Sequence, residues 1–159
     1  MKIRILAVGR LKEKYLLAME EEYLKRLSGY CNVVIEEIND LPTPENASPK
    51  LNEEIKSKED SKILAKLKPT DFVVLLDLGG KELTSTELSS ELDSWFTRGG
   101  ANLTFVIGGS LGLSQEMKSR GNAVLTLSRL TFTHQMSRLI LLEQLYRSFR
   151  ILHHEPYDK

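Results

Sequence analysis

The residues whose types and spacing could do chemistry stand at the ends of apolar runs. Gly79-Gly80 follows Phe72-Val73-Val74-Leu75-Leu76, and Gly108-Gly109 follows Thr104-Phe105-Val106-Ile107. A short apolar run bounded by glycine reads as a buried strand at its carboxyl end. A third loop, Leu127-Ser128-Arg129-Leu130-Thr131-Phe132, follows the apolar run that starts at Ala123. Ligands of open α/β sheets sit where strands end. Glycine there lets a ligand approach the backbone with no Cβ in the way. The loops Leu76 to Gly80, Ile107 to Leu111 and Leu127 to Phe132 suit a ligand with a flat apolar part and polar edges. An adenosine held by backbone N–H and C=O groups is of that kind. One Gly-Gly pair alone is an ordinary turn; two at corresponding strand ends point to a site.

A phosphate ligand fits less well. Gly9-Arg10-Leu11 stands after the first strand in place of G-x-G-x-x-G, and G-x-x-x-x-G-K-S/T is absent. Phosphoryl transfer is set aside for want of a P-loop, and acyl transfer for want of a G-x-S-x-G. His134, His153 and His154 are the chain's histidines, and an imidazole takes or gives a proton near pH 7. Their spacing lacks H-x-x-x-H, so no metal is expected. Arg129, Arg138, Arg147 and Arg150 form a local positive cluster, and arginine holds phosphate by a two-pronged hydrogen bond.

The elements that position these residues follow from periodicity. Strands are expected at 3–8, 32–38, 71–77, 103–107 and 124–127. Helices are expected at 12–27, 51–67, 84–96, 114–120 and 133–152. Strict β-α alternation means a parallel sheet with helices on both faces. In the first helix Tyr15, Leu16, Met19, Tyr23 and Leu27 form the apolar stripe, and Glu20-Glu21-Glu22 reads as a solvated face. Asp40 to Pro49, with three prolines, is a loop. In the last helix His134, Arg138, Leu141, Leu145, Phe149 and Leu152 share one face, with Ile140 and Ile151 opposite. A helix apolar nearly all round is buried on more than one side. The sheet covers one side, and a second subunit is expected on the other.

Composition sets outer bounds. The 159 residues favour one domain, 1–159. Lys+Arg and Asp+Glu are 22 each, so the chain lacks the basic surplus of a general nucleic-acid binder. The single cysteine, Cys31, excludes an intramolecular disulfide and reads as a small apolar filler. The apolar start is too short for a signal peptide, and no run reaches the length of a membrane helix. A soluble, cytoplasmic protein with no membrane partner is expected.

Longer motifs carry a resemblance. The string Phe105-Val106-Ile107-Gly108-Gly109-Ser110-x-Gly112 is followed by Leu130-Thr131-Phe132-x-His134-Gln135-Met136-x-Arg138 and by Glu143-Gln144-Leu145-Tyr146-Arg147. Together they resemble the ribosomal RNA large-subunit methyltransferase H family of the SPOUT superfamily. The start, Ile5-x-Ala7-Val8-Gly9-Arg10-Leu11-Lys12, and the length match too, so the resemblance covers essentially the whole chain. It implies an α/β parallel-sheet fold with a C-terminal deep trefoil knot, where the last third of the chain threads a loop. Knots are rare enough that periodicity alone would argue against one. It implies S-adenosylmethionine as cofactor and methylation of N3 of a pseudouridine in 23S rRNA, on the assembled ribosome, by a homodimer. The rival is a non-catalytic, ribosome-associated α/β protein that binds a nucleotide.

Carried over by position, the resemblance implies cofactor contacts at Leu76, Gly108, Leu127, Ser128, Arg129, Leu130, Thr131 and Phe132, within the loops already chosen. His134, Arg138, His154 and Tyr157 are the catalytic candidates. Arg138, Arg147 and the tail from His153 to Lys159 are the expected RNA contacts. The family ends in Tyr-His followed by Lys or Arg; here Asp158 stands in place of that histidine, with His153 and His154 close by.

Overall fold

The computed structural model describes residues 1–158, so Lys159 lies outside the described residues. Five strands alternate with five helices: β1 (Lys2–Val8), α1 (Lys14–Leu27), β2 (Asn32–Ile38), α2 (Pro49–Leu64), β3 (Val73–Leu76), α3 (Ser85–Arg98), β4 (Asn102–Ile107), α4 (Gln115–Arg120), β5 (Ala123–Leu125) and α5 (His134–Leu152). The strands form one sheet in the order β2-β1-β4-β3-β5, and every pairing is parallel. β4 is central, and its residues from Leu103 to Ile107 are all buried.

Side chains alternate across the sheet with period two, which divides the core. Ile3, Ile5 and Ala7 of β1 and Leu103, Phe105 and Ile107 of β4 face α1, α3 and α5. Leu6 and Val8 of β1, Val106 of β4 and Leu75 of β3 face α2 and α4 through Ile63 and Met117. Both faces are therefore covered, as a near-continuous apolar strand requires. α5 leaves the edge strand β5 and returns over the sheet to lie between α3 and α1. Its Leu141, Leu142, Leu145 and Phe149 enter the core, and the Phe149 ring stacks on Tyr30 at 5.5 Å.

Caps explain where the helices differ from the periodic reading. α2 starts at Pro49 because Ser48 accepts the Leu51 N–H and proline is suited to the first helical position. Thr84 and Glu87 form a reciprocal capping box on α3. Ser114 and Thr133 cap α4 and α5. β5 is shorter than expected, because Thr126 leaves the ladder to donate to the Asp77 carbonyl and accept from the Gly80 N–H.

The α1 stripe is half correct. Leu27 is buried and Tyr23 meets Tyr146 at 6.5 Å, but Tyr15 is 71% exposed and Met19 also faces solvent. Glu20 does not belong to a solvated face: its carboxylate reaches inward to Arg138 at 3.2 Å.

Asn122 fastens the short edge strand. Val73 N–H donates to the Asn122 side-chain oxygen at 2.8 Å, and Asn122 N–H donates back to the Val73 carbonyl at 2.7 Å. An Asn122→Ala variant orphans the Val73 N–H. It should unfold about 1–3 kcal/mol more easily in a denaturant titration. An unchanged midpoint would show that water replaces the amide.

Candidate functional site

A cleft of about 250 Å³ opens where β3, β4 and β5 end. The loop after β3 contributes Leu76, Asp77 and Leu78. The loop after β4 contributes Ile107 to Ser110, with Gly112 and Leu113. The loop after β5 contributes Leu127, Ser128, Leu130, Thr131 and Phe132, and His134 and Ser137 of α5 close one side. Leu76, Ile107, Leu125 and Leu127 are apolar lining, while Leu130, 72% exposed, Phe132 and Leu78 are exposed apolar side chains there. Uncovered apolar side chains around a concave site favour an occupant with an apolar surface.

Seven of the eight expected cofactor residues line this cleft: Leu76, Gly108, Leu127, Ser128, Leu130, Thr131 and Phe132. Arg129 does not. Its side chain is 89% exposed and pairs with Glu82 at 2.9 Å, because successive loop residues project to different sides. Leu113 and Ser137 join the lining although no motif or chosen loop marked them out; their membership depends on how the chain folds around the cleft.

Gly108 is required for a reason other than ligand approach. A Cβ there would sit 2.8 Å from Leu113 Cδ2 and 3.0 Å from the Gly112 carbonyl, so the β4 loop itself fills the space. The open glycine is Gly112, with φ of 83° and nothing within 4 Å of a built Cβ. The expectation that the chain lacks G-x-S-x-G is corrected: Gly108-Gly109-Ser110-Leu111-Gly112 satisfies that pattern of acyl-transfer enzymes. Ser110 is no nucleophile elbow. Gly112 N–H closes a turn onto the Gly109 carbonyl at 3.0 Å, and the next helix starts three residues later, at Gln115.

His134 opens α5 and stands against Gly9 of the β1 loop. A Cβ on Gly9 would lie 2.6 Å from His134 Nε2, and Gly9 has φ of 99°, so both contact and backbone demand glycine. Burial lowers the His134 pKa; Arg138 adds to this and Asp40 opposes it. The ring is therefore neutral near pH 7 and able to accept a proton.

Arg138 is 1% exposed. Its guanidinium donates to Glu37 at 2.9 Å, to Glu20 at 3.2 Å and to the Gly9 carbonyl at 3.1 Å. The expectation of an RNA contact here is corrected: Arg138 is enclosed below Gly9 and His134, where no phosphate reaches it. The arginine cluster as a whole is also neutralised. Arg147 pairs with Glu143 at 2.6 Å and Asp158 at 2.9 Å, and Arg150 pairs with Glu155.

His154 and Tyr157 lie at the opposite end of α5 from His134. At ~1.5 Å per residue the helix separates the two ends by roughly 27 Å. His154, with φ of 54°, follows the last turn and donates its N–H to the Ile151 carbonyl. Tyr157 folds back onto α5, edge-on to Tyr146 at 5.0 Å, with its hydroxyl donating to Glu143. Burial, aided by the Tyr23 hydroxyl, pushes its phenol up to about 12. It is a hydrogen-bond donor at neutral pH. Within one chain these two groups do not reach the cleft.

Among the described residues no cluster of His, Cys, Asp or Glu is placed to hold a metal, and no helix is long and apolar enough to cross a membrane. A parallel α/β sheet with a glycine-bounded cleft at its strand ends and an imidazole beside it is a ligand-binding site of an α/β protein. The family model described as "Predicted SPOUT methyltransferase" matches residues 1–158. The chain belongs to this SPOUT methyltransferase family, which sets the non-catalytic reading aside. It is 52% identical to the ribosomal RNA large subunit methyltransferase H of Clostridium tetani, over all of both chains. It is 49% identical to the protein of that name from Desulforamulus reducens, over 99% of each, and 50% identical to that of Clostridium beijerinckii, over all of both.

The depressed His134 pKa carries a sign. A histidine whose folded pKa is lowered contributes stability above its ordinary value of 6.5, and loses it as pH falls through the folded value. Titration of the His134 ring by NMR, with His153 and His154 replaced by Gln, should give a midpoint below 6.5. His134→Gln should lessen the acid destabilisation in that window. A midpoint at or above 6.5 would make the ring an ordinary surface imidazole.

Proposed function

We propose that the chain transfers the methyl group of S-adenosylmethionine to N3 of a pseudouridine in 23S rRNA, in the cytoplasm, on the assembled ribosome. One domain, residues 1–159, carries the activity, and its C-terminal part forms the trefoil knot. Membership of the SPOUT family supports the knot. The observation that carries the function is the apolar-rimmed cleft at three strand ends in a chain that matches SPOUT methyltransferases over its length. Leu76, Gly108 and the loop 127–132 would hold the cofactor, with Arg129 acting at the loop's outer side. When bound, S-adenosylmethionine supplies a sulfonium methyl group open to in-line displacement. The chain's own part is chiefly alignment of the two reactants. Neutral His134, at the cleft, accepts the proton that N3 releases.

The active form is a homodimer. Tyr15 and Met19 of α1 and Met136 of the neighbouring α5 are exposed, with Ile140 half-buried one turn after Met136. A two-fold interface there covers apolar surface on both copies at once. It also offers a way for His154 and Tyr157 of one copy to serve the cleft of the other, which α5 prevents within one chain. Zero net charge leaves little non-specific RNA affinity, so recognition depends on few placed contacts. The tail supplies those contacts, with Arg147 joining them when RNA phosphate displaces Glu143 and Asp158 from its guanidinium.

Calorimetry should detect S-adenosylmethionine binding near one per chain, and sedimentation should report about twice 18.1 kDa. No binding, or a monomer at micromolar concentration, would overturn the respective part. Truncation after Leu152 should leave cofactor affinity nearly intact and remove methyl incorporation into ribosomes. Full activity without the tail would exclude it from the site.

A further inference from the structure

Two neighbouring carboxylates in α2, Glu59 and Asp60, are 5% and 1% exposed. Among the described residues neither has an arginine or lysine within ion-pair distance. Burying an unpaired carboxylate is expensive unless it is hydrogen-bonded. Burial raises the pKa of both. Their hydrogen bonds go to backbone N–H groups of two loops. Glu59 accepts from Leu41, after β2, at 2.9 Å. Asp60 accepts from Ser114, at the end of the β4 loop, at 2.5 Å. The other Asp60 oxygen is buried with no partner among the described residues. Glu59 also lies against the glycine pair: a Cβ built on Gly109 would be 3.2 Å from its Oε1.

We propose that Glu59 and Asp60 are positioning residues for the methyl-donor site, holding the β4 loop from beneath. This rests on reading the cleft as that site. The loop 108–114 has few anchors of its own, a turn between Gly109 and Gly112 and the Ser114 cap of α4. α4 is a six-residue helix and a weak anchor by itself. Asp60 fixes the loop's far end through the Ser114 N–H. Glu59 bounds its near end at Gly109, while tying in the β2 loop through Leu41. About 100° separates consecutive residues on a helix. The adjacent pair therefore straddles one helix face and serves two loops at once. A hydrophobic pair would fill the volume more cheaply but would orphan both N–H groups.

Asp60→Asn keeps an acceptor for Ser114, whereas Asp60→Leu removes it and relieves the buried charge. Binding of S-adenosylhomocysteine by calorimetry should stay within about twofold for Asp60→Asn. For Asp60→Leu it should weaken about tenfold, the factor that an orphaned buried N–H corresponds to. The Leu variant should raise KM for the donor more than it lowers kcat, whereas Asp60→Asn should leave both near the parent's. Amide exchange at Gly112 and Ser114 should quicken in Asp60→Leu and not in Asp60→Asn, with Glu59→Gln and Glu59→Leu giving the same contrast at Leu41. Unchanged exchange and affinity in both Leu variants would overturn the proposal, as would equal weakening in Asn and Leu. A parent that fails to bind S-adenosylhomocysteine would instead overturn the donor reading, and the exchange contrast would still decide whether the carboxylates hold the loops.

Discussion

The buried guanidinium of Arg138 is the interaction on which the arrangement rests. It joins the last helix to the first strand's loop through the Gly9 carbonyl, to α1 through Glu20 and to the end of β2 through Glu37. Glu37 also accepts from the Leu11 N–H, so one carboxylate steadies the turn that Gly9 begins. The three partners are separated from Arg138 by more than a hundred residues each. A guanidinium has five donors and stays charged, which lets it tie several elements at one point. Removing one partner of such a group leaves uncompensated buried charge, and the usual penalty is about 3–5 kcal/mol, less where a partner is partly solvated. His134 lies one helical turn before Arg138, so its place beside Gly9 depends on this anchor.

The cleft repeats the same logic with smaller bonds. Thr126 accepts from Gly80 and donates to Asp77, which ties the β3 loop to the β5 loop. The Asp60 and Ser114 pair ties the β4 loop to α2. None of these bonds is strong singly, since each replaces a bond to water. Together they hold three loops in register around one space. The apolar side chains that those loops leave exposed, Leu130 and Phe132 above all, are then in position for a ligand.

At the far end of α5 charge is balanced rather than displayed. Glu143, Glu155 and Asp158 each answer an arginine, and the rings of Tyr146 and Tyr157 lie against the guanidinium groups of Arg150 and Arg147. The tail through Asp158 is thereby folded onto the helix that precedes it. A run of arginines in the sequence becomes a set of closed pairs because i and i+4 neighbours meet on a helix and the chain turns back after Leu152.

The sequence by itself determined the elements and their order. Hydrophobic period, Gly-Gly breaks and capping residues are local, so β-α alternation, the parallel class and the three strand-end loops were legible from residues a few positions apart. The motifs around Gly108 and His134 were equally local, and they carried the family. Tertiary structure alone decided which side each loop residue faces. It turned Arg129 outward, enclosed Arg138 and gave Gly108 a packing role. It also turned Glu20 inward from an apparent solvated face and made Glu59 and Asp60 buried acceptors. The physical reason is separation along the chain. A carboxylate in α2 is expensive to bury until a backbone N–H from the β4 loop, 54 residues away, arrives to meet it. Nothing in the local pattern of either segment records that meeting.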